Sequence, residues 1–424
     1  MDIIQVGEKE RWNSIVKSFH NWDIYYLNEY ACSFQLHGDG GPVLVYHQMN
    51  EGKLCYVMMQ EDISHFSPLS AYIEPGQFYD WTTPYGYGGP LMEGKITPEW
   101  MGQFIKELNQ WCKSHKVVSQ FFRFHPLLQN QKVFEDDCEV VYMKKTVYID
   151  TKDKDIIFKN MTPNNRNMVR KAQKNNIDIV MDKGERIEEF RKIYDATMQN
   201  NKAEEYYYFQ PEYFNYINQN MKENIIYFYA VYQGIAISAA IFFYNGKYMH
   251  YHLSGTLPEY RKLASSNLLL SEAANWAAEQ GIKEMHLGGG VGIEDSLLAF
   301  KKHFNRNGLL DFCIGRSIFD KKAFDHLVEL RKEKDAGFAG AVCAAYLLDF
   351  SVYRKLCAVH DFVSFDLLDG SGGLSGSEAK AAIDEDAGCP VRRSVRSGGL
   401  DFADARDRDN PQSESDAAFT DTAS

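Results

Sequence analysis

Four cations, Arg166, Arg170, Lys171 and Lys174, lie close together in the segment NNRNMVRKAQKNN. On a helix, Arg166, Arg170 and Lys174 share one stripe, while Met168, Val169 and Ala172 turn toward the other face. Such a stripe is a candidate anion patch, for a nucleotide diphosphate, a lipid pyrophosphate or tRNA phosphates. A solvated helix face accounts for the same spacing. Arg123 and His125, at the end of FFRFHP, are further candidates for that groove. His250 and His252 alternate on a strand and share a side, with His286 on the next strand. Three imidazoles are a possible zinc set. No carboxylate or cysteine stands with them at ligand spacing, so the better use is proton abstraction from an amine, with His252 as candidate base. The loop TPYGYGGPL sets Tyr85 and Tyr87 among glycines, so that backbone approaches a ligand and the tyrosines stack on it. A tight structural turn is the competing reading. No GxSxG or Ser-His-Asp order is present in the sequence, so covalent catalysis has no support.

The elements that must position these residues are readable from periodicity. PVLVYHQ and KLCYVMMQ read as strands separated by the turn residues Asn50, Glu51 and Gly52. In Met101–His115 the apolar positions Phe104, Leu108, Trp111 and Cys112 have helical spacing, and VVSQFFRFHP follows as a strand stopped by Pro126. Thr162-Pro163 is a helix start. IIYFYAVYQG, AISAAIFFYNG and KYMHYHLSG read as three antiparallel strands. The loop EYRKLASS then leads to a helix, NLLLSEAANWAAEQG, ended at Gly281. KEMHLGGG is a strand entering a glycine run, and DSLLAFKKHF is the final helix. The fold class is therefore α+β.

The chain of 424 residues is long enough for two or three cores. No run of apolar residues is long enough to span a bilayer, and MDIIQVGEKERW lacks the regions of a signal peptide. Eight cysteines without CxxC pairing indicate reduced thiols, so a cytoplasmic location is expected. The net charge of −12 excludes non-specific binding of nucleic acid by the whole surface, and no DNA partner is expected. The charge is uneven: Ala336 onward carries 8 Lys and Arg against 15 Asp and Glu. There the composition turns to Ala, Gly, Ser, Asp and Arg, which predicts a divergent tail over 336–424, mostly disordered.

The stretch SGTLPEYRKLASSNLLLSEAANWAAEQGIKEMHLGGG, followed by SLLAFKKHF, resembles the Fem-like aminoacyltransferases of the GNAT superfamily. The resemblance extends to NNRNMVRKAQKNN, TPYGYGGPL and FFRFHPLL and covers roughly residues 10 to 330. It rests on the order of the motifs. It implies tandem GNAT-like domains with an acceptor groove between them, here 1–150 on the acceptor side and 151–335 as the catalytic domain. It further implies that Phe300 packs on the donor's terminal ribose and that Lys301, at a groove edge, stabilises the developing oxyanion. Phe300 and Phe304 spaced as a core face, with a solvated Lys301, is the plainer alternative. Tyr260 and Arg261 open the loop that in GNAT enzymes cradles a pyrophosphate on backbone N–H groups. Ala264 and Ser266 replace its two glycines, so side chains stand where bare backbone would approach phosphate, which argues against coenzyme A. Ser265 or Ser266 as a plain N-cap is the other reading. The expected activity is transfer of an aminoacyl or acyl group onto an amine of a cell-wall or surface-polysaccharide precursor. The donor is aminoacyl-tRNA, with no further cofactor and no metal, and contact with a membrane is peripheral, through a membrane-linked precursor. The alternatives are an acyl-coenzyme A-dependent N-acetyltransferase acting on an amino sugar and a non-catalytic module that binds a nucleotide sugar.

Overall fold

A computed structural model describes residues 1–334, apart from Ser67, Val291, Ile293 and Glu294. The tail expected over 336–424 lies outside the described residues. The first part of the chain runs β1 (Asp2–Gln5), α1 (Lys9–Lys17), α2 (Asn28–His37), β2 (Gly41–Met49), β3 (Gly52–Asp62), β4 (Tyr79–Thr82), β5 (Leu91–Glu93), α3 (Pro98–Ser114), β6 (Val117–Arg123) and β7 (Glu139–Asp150). The β2–β3 hairpin is the one expected from its two apolar runs and the turn between them. Its turn places Asn50 at φ +53°, a conformation Asn tolerates. Thr97 caps α3 through its side chain and Pro98 takes the first helical position, so the helix starts before Met101.

The second part runs α4 (Lys154–Asn160), α5 (Pro163–Lys174), β8 (Asp178–Asp182), α6 (Ile187–Asn200), α7 (Pro211–Asn220), β9 (Ile225–Tyr232), β10 (Ile235–Tyr244), β11 (Tyr248–Thr256), α8 (Ser265–Glu279), β12 (Glu284–Gly289), α9 (Ser296–Lys302), β13 (Leu309–Ile318) and α10 (Lys321–Lys334). The sequence pattern ended this part at α9, whereas β13 and α10 follow it.

All the strands join one sheet in the order β1-β2-β3-β4-β6-β13-β7-β12-β11-β10-β9-β8, with β5 on β3. Most neighbours are antiparallel; β4–β6 and β11–β12 are parallel. β13 leaves the second part of the chain and inserts between β6 and β7. The largest core also joins both halves. Tyr25, Tyr30 and Phe34 from the first part pack with Tyr213, Phe243 and Leu253 from the second. No helix among the described residues is long and apolar enough to cross a membrane.

Candidate active site

The sheet splits between β11 and β12. β11 and β12 pair in parallel through Tyr248↔Glu284, Met249↔Met285 and His250↔His286, and then stop pairing. β11 continues beside β10 as far as Thr256↔Ser238, and β12 continues beside β7 as far as Gly289↔Thr146. Beyond the histidine pair the two strands go with different neighbours. A backbone that loses its ladder partner offers N–H and C=O groups to a ligand. The first turn of α8 is hooked to the far end of β11. Ser266 Oγ lies 2.7 Å from Thr256 Oγ1, and Ser265 Oγ lies 2.5 Å from Ser238 Oγ. Neither serine caps α8, contrary to that reading of the loop; the N-cap is Ala264, which makes no side-chain cap. Ala264 sits at φ +59°, the left-handed conformation that favours glycine, so the loop keeps a glycine-like backbone without the glycine.

At the last paired position stands a group that sequence reasoning missed. Asp23 is fully buried, and its Oδ2 accepts hydrogen bonds from His125 Nε2 and His250 Nε2, each at 2.7 Å. Its Oδ1 accepts from the Ile24 amide at 2.6 Å. Burial works to raise the Asp23 pKa. Attraction to His250 and the hydrogen bonds from both rings outweigh it and hold the carboxyl well below the usual carboxylate range. Burial also pulls the His125 imidazole below its ordinary value, against the opposing pull of Asp23. The Leu128 amide donates to His125 Nδ1 at 3.4 Å, which leaves the ring proton on Nε2, facing Asp23. His250 Nδ1 has no partner among the described residues, and the ring lies 4.5 Å from that of Tyr25. A carboxylate that holds one imidazole nitrogen leaves the other as the basic one.

Asp23, His125 and His250 also place three ligand atoms within 4.8 Å of one another. A metal there would need both Nε2 atoms deprotonated, whereas both donate to Asp23 in the arrangement described. The zinc set considered from sequence does not assemble. His252 Nε2 pairs with Tyr213 Oη at 2.6 Å and His286 Nε2 with Thr146 Oγ1 at 2.9 Å, so only His250 of those three joins the cluster.

The other sequence candidates fall in three groups. Tyr85 and Tyr87 are buried, and they pack on protein rather than presenting faces to a ligand. Tyr85 stacks on Phe34 at 5.3 Å, and Tyr87 meets His286 edge-on at 5.0 Å. The expectation of a ligand-stacking loop is thereby corrected, because the loop fills the seam between the two halves. Its glycines are needed there: Gly86 has φ +90°, and a Cβ would fall 2.7 Å from the Tyr25 ring. Arg123 is likewise buried, with Nη2 donating to the carbonyls of Thr83 and Pro84.

Lys301 is not at a groove edge. It is 1% exposed and donates to the Gly289 carbonyl at 2.8 Å, at the end of β12. Lys144, which the sequence did not single out, donates to the next carbonyl, that of Gly290. Phe300 is buried against Phe304, 5.3 Å away. Tyr260 packs near Tyr232, and Arg261 lies half-buried beside the loop.

The basic stripe divides. Arg166 and Arg170 line a cleft of about 510 Å³ with Phe158, Lys159 and Arg306, while Lys171 and Lys174 are exposed outside it. Asn165, beside Arg166, accepts a hydrogen bond from Asn267 Nδ2 at 2.6 Å, which sets the first turn of α5 against that of α8.

Comparison with known proteins accords with this layout. Residues 163–302 match the family described as the acetyltransferase (GNAT) domain. No curated protein is detectably similar in sequence. Among solved structures, FemX superposes with a TM-score of 0.54 at 13% identity, covering 77% of this chain and 100% of that one. A conserved protein of unknown function from Bacteroides thetaiotaomicron VPI-5482 superposes at 0.50 and 10% identity, covering 74% and 98%. The matched segment takes in α5, the three antiparallel strands, α8, the split and Lys301. Residues 163–302 thus match the GNAT acetyltransferase domain, and the chain as a whole shares the fold of FemX.

Proposed function

We propose that the protein transfers an aminoacyl group from aminoacyl-tRNA to an amine on a cell-wall or surface-polysaccharide precursor. The observation that carries this reading is the split between β11 and β12, with an Asp23-held His250 at its apex. The donor's carbonyl enters the split, where strand amides that have lost a ladder partner and the Lys301 ammonium face the oxygen on which charge develops. The acceptor nitrogen attacks the carbonyl carbon and loses its proton to His250 Nδ1. The ester C–O bond then breaks, and the proton passes to the departing ribose hydroxyl. In this scheme His250 serves as base in place of His252, because a buried carboxylate orients it and His252 is engaged by Tyr213.

A second reading uses acyl-coenzyme A on an amino sugar. The left-handed Ala264 favours it, since the loop keeps the backbone that a pyrophosphate cradle needs. Both readings predict a mass shift on an amine-bearing precursor. The test compares cell-wall and polysaccharide precursors by mass spectrometry with and without the protein. Purified protein is then given charged tRNA or acetyl-coenzyme A with the precursor that changes. No change in any precursor, and no transfer from either donor, would refute the proposal.

A further inference from the structure

The cleft at the start of α5 is lined by none of the residues that form the split, and it has its own chemistry. Its lining includes Lys159, Arg166, Arg170 and Arg306, and no lining residue is acidic. None of the four cations forms an ion pair among the described residues, in a chain of net charge −12. Each guanidinium spends one terminal nitrogen on its neighbours. Arg166 Nη1 donates to the carbonyls of Phe158 and Met161, Arg306 Nη2 to that of Lys159, and Arg170 Nη1 to Asn167 Oδ1. In the same cleft Phe158 is 54% exposed, with the Arg166 guanidinium 5.0 Å from its ring centre. A solvated helix face explains cations; it does not explain a large aromatic left open among them.

An aromatic platform ringed by cations without carboxylates suits a ligand that has both a flat base and phosphates. We infer that this cleft binds a nucleoside phosphate, its base on Phe158 and its phosphates on Lys159, Arg170 and Arg306. The inference rests on the transferase reading for its source: the ligand is either the adenosine end of coenzyme A or the unpaired end of a tRNA. The Asn165–Asn267 contact sets the first turn of α5, which lines the cleft, against the first turn of α8.

The test is binding by the full-length protein, with two probes. One is coenzyme A, followed by titration calorimetry. The other is a fluorescein-labelled RNA hairpin with a single-stranded CCA end, followed by anisotropy at about 50 and about 200 mM salt. Affinity for either probe, weakened about tenfold or more by Arg170→Glu with Arg306→Glu and about 5–100-fold by Phe158→Ala, supports the site. The probe that binds identifies the source. These side chains are exposed, so the melting temperature should not move. No binding of either probe at millimolar concentration overturns the inference. So does binding that heparin displaces and Phe158→Ala leaves unchanged, which marks a general polyanion surface. A chain that passes these tests yet transfers no acyl group keeps the nucleotide cleft and loses the transferase reading; a transferase indifferent to these variants does the reverse.

Discussion

Replacing Asp23 by alanine tests whether the carboxylate is the hub that joins the two halves. The substitution strands three buried donors: the Ile24 amide and the Nε2–H groups of His125 and His250. At roughly 1–2 kcal/mol for each buried donor left without an acceptor, Asp23→Ala should cost about 3–6 kcal/mol. That is a large share of the ~5–15 kcal/mol that holds a domain folded. Asp23→Asn retains one acceptor oxygen but turns N–H groups toward a ring, so its cost should be intermediate. Urea unfolding followed by tryptophan fluorescence reads the loss as a shift in midpoint at unchanged slope. The wild-type protein should also lose stability on acidification, in two stages. The His125 pKa is lowered on folding, so below about pH 6.5 the unfolded chain takes up a proton that the native ring refuses. The Asp23 pKa is lowered too, so its contribution is complete above about pH 4 and is lost only as pH falls toward its depressed native value. A loss below about 1 kcal/mol for Asp23→Ala would show that the two imidazoles find other acceptors, and the hub would have to be abandoned.

Lys301→Met keeps the stem of the side chain and loses the bond to the Gly289 carbonyl, so it should destabilise by about 1–3 kcal/mol and lower kcat by roughly 10²–10³. Wild-type turnover in the transfer assay would rule out the oxyanion role. Gly255→Ala should lower the melting temperature, at a cost of about 1–3 kcal/mol, because its Cβ would fall 2.7 Å from Thr197 Oγ1 and 2.8 Å from the Ile193 carbonyl. An unchanged melting curve would mean that α6 shifts freely against β11. Ala264→Gly should stabilise by up to about 1 kcal/mol by relieving the left-handed alanine, and should tighten coenzyme A binding if the loop cradles a pyrophosphate. Destabilisation would show that Ala264 Cβ packing outweighs the strain.

The sequence reveals much of the scaffold and little of the hub. β2, β3, β6 and β9 to β12 announce themselves by short apolar and aromatic runs bounded by turns, and α5 by Thr162-Pro163, because those signals are local. β13 is buried only in its middle, and its place between β6 and β7 depends on partners far away in the chain. Asp23 is a single carboxylate in an aromatic run, 102 residues from His125 and 227 from His250. No spacing rule links residues so distant, so the sequence groups the histidines only with one another. Arg166 and Arg170 were visible as a stripe, whereas Arg306 joins them only through the packing of the turn after α9. The sequence leaves Lys301 at a groove edge or in solvent, because a helix pattern gives no sign that a glycine carbonyl waits above it.

The path of β13 has a consequence for synthesis on the ribosome. β6 ends at Arg123, and the strand that covers its flank starts only at Leu309. Roughly 190 residues must emerge in between, which takes on the order of 10–40 s at ordinary elongation rates. Throughout that interval β6 is an open edge, rich in Phe and Val, of the kind that pairs with other chains. A nascent chain stalled before β13, or a fragment cut between Asp150 and Thr151, should therefore aggregate through β6. Supplying residues 309–318 as a separate strand is the direct way to protect it.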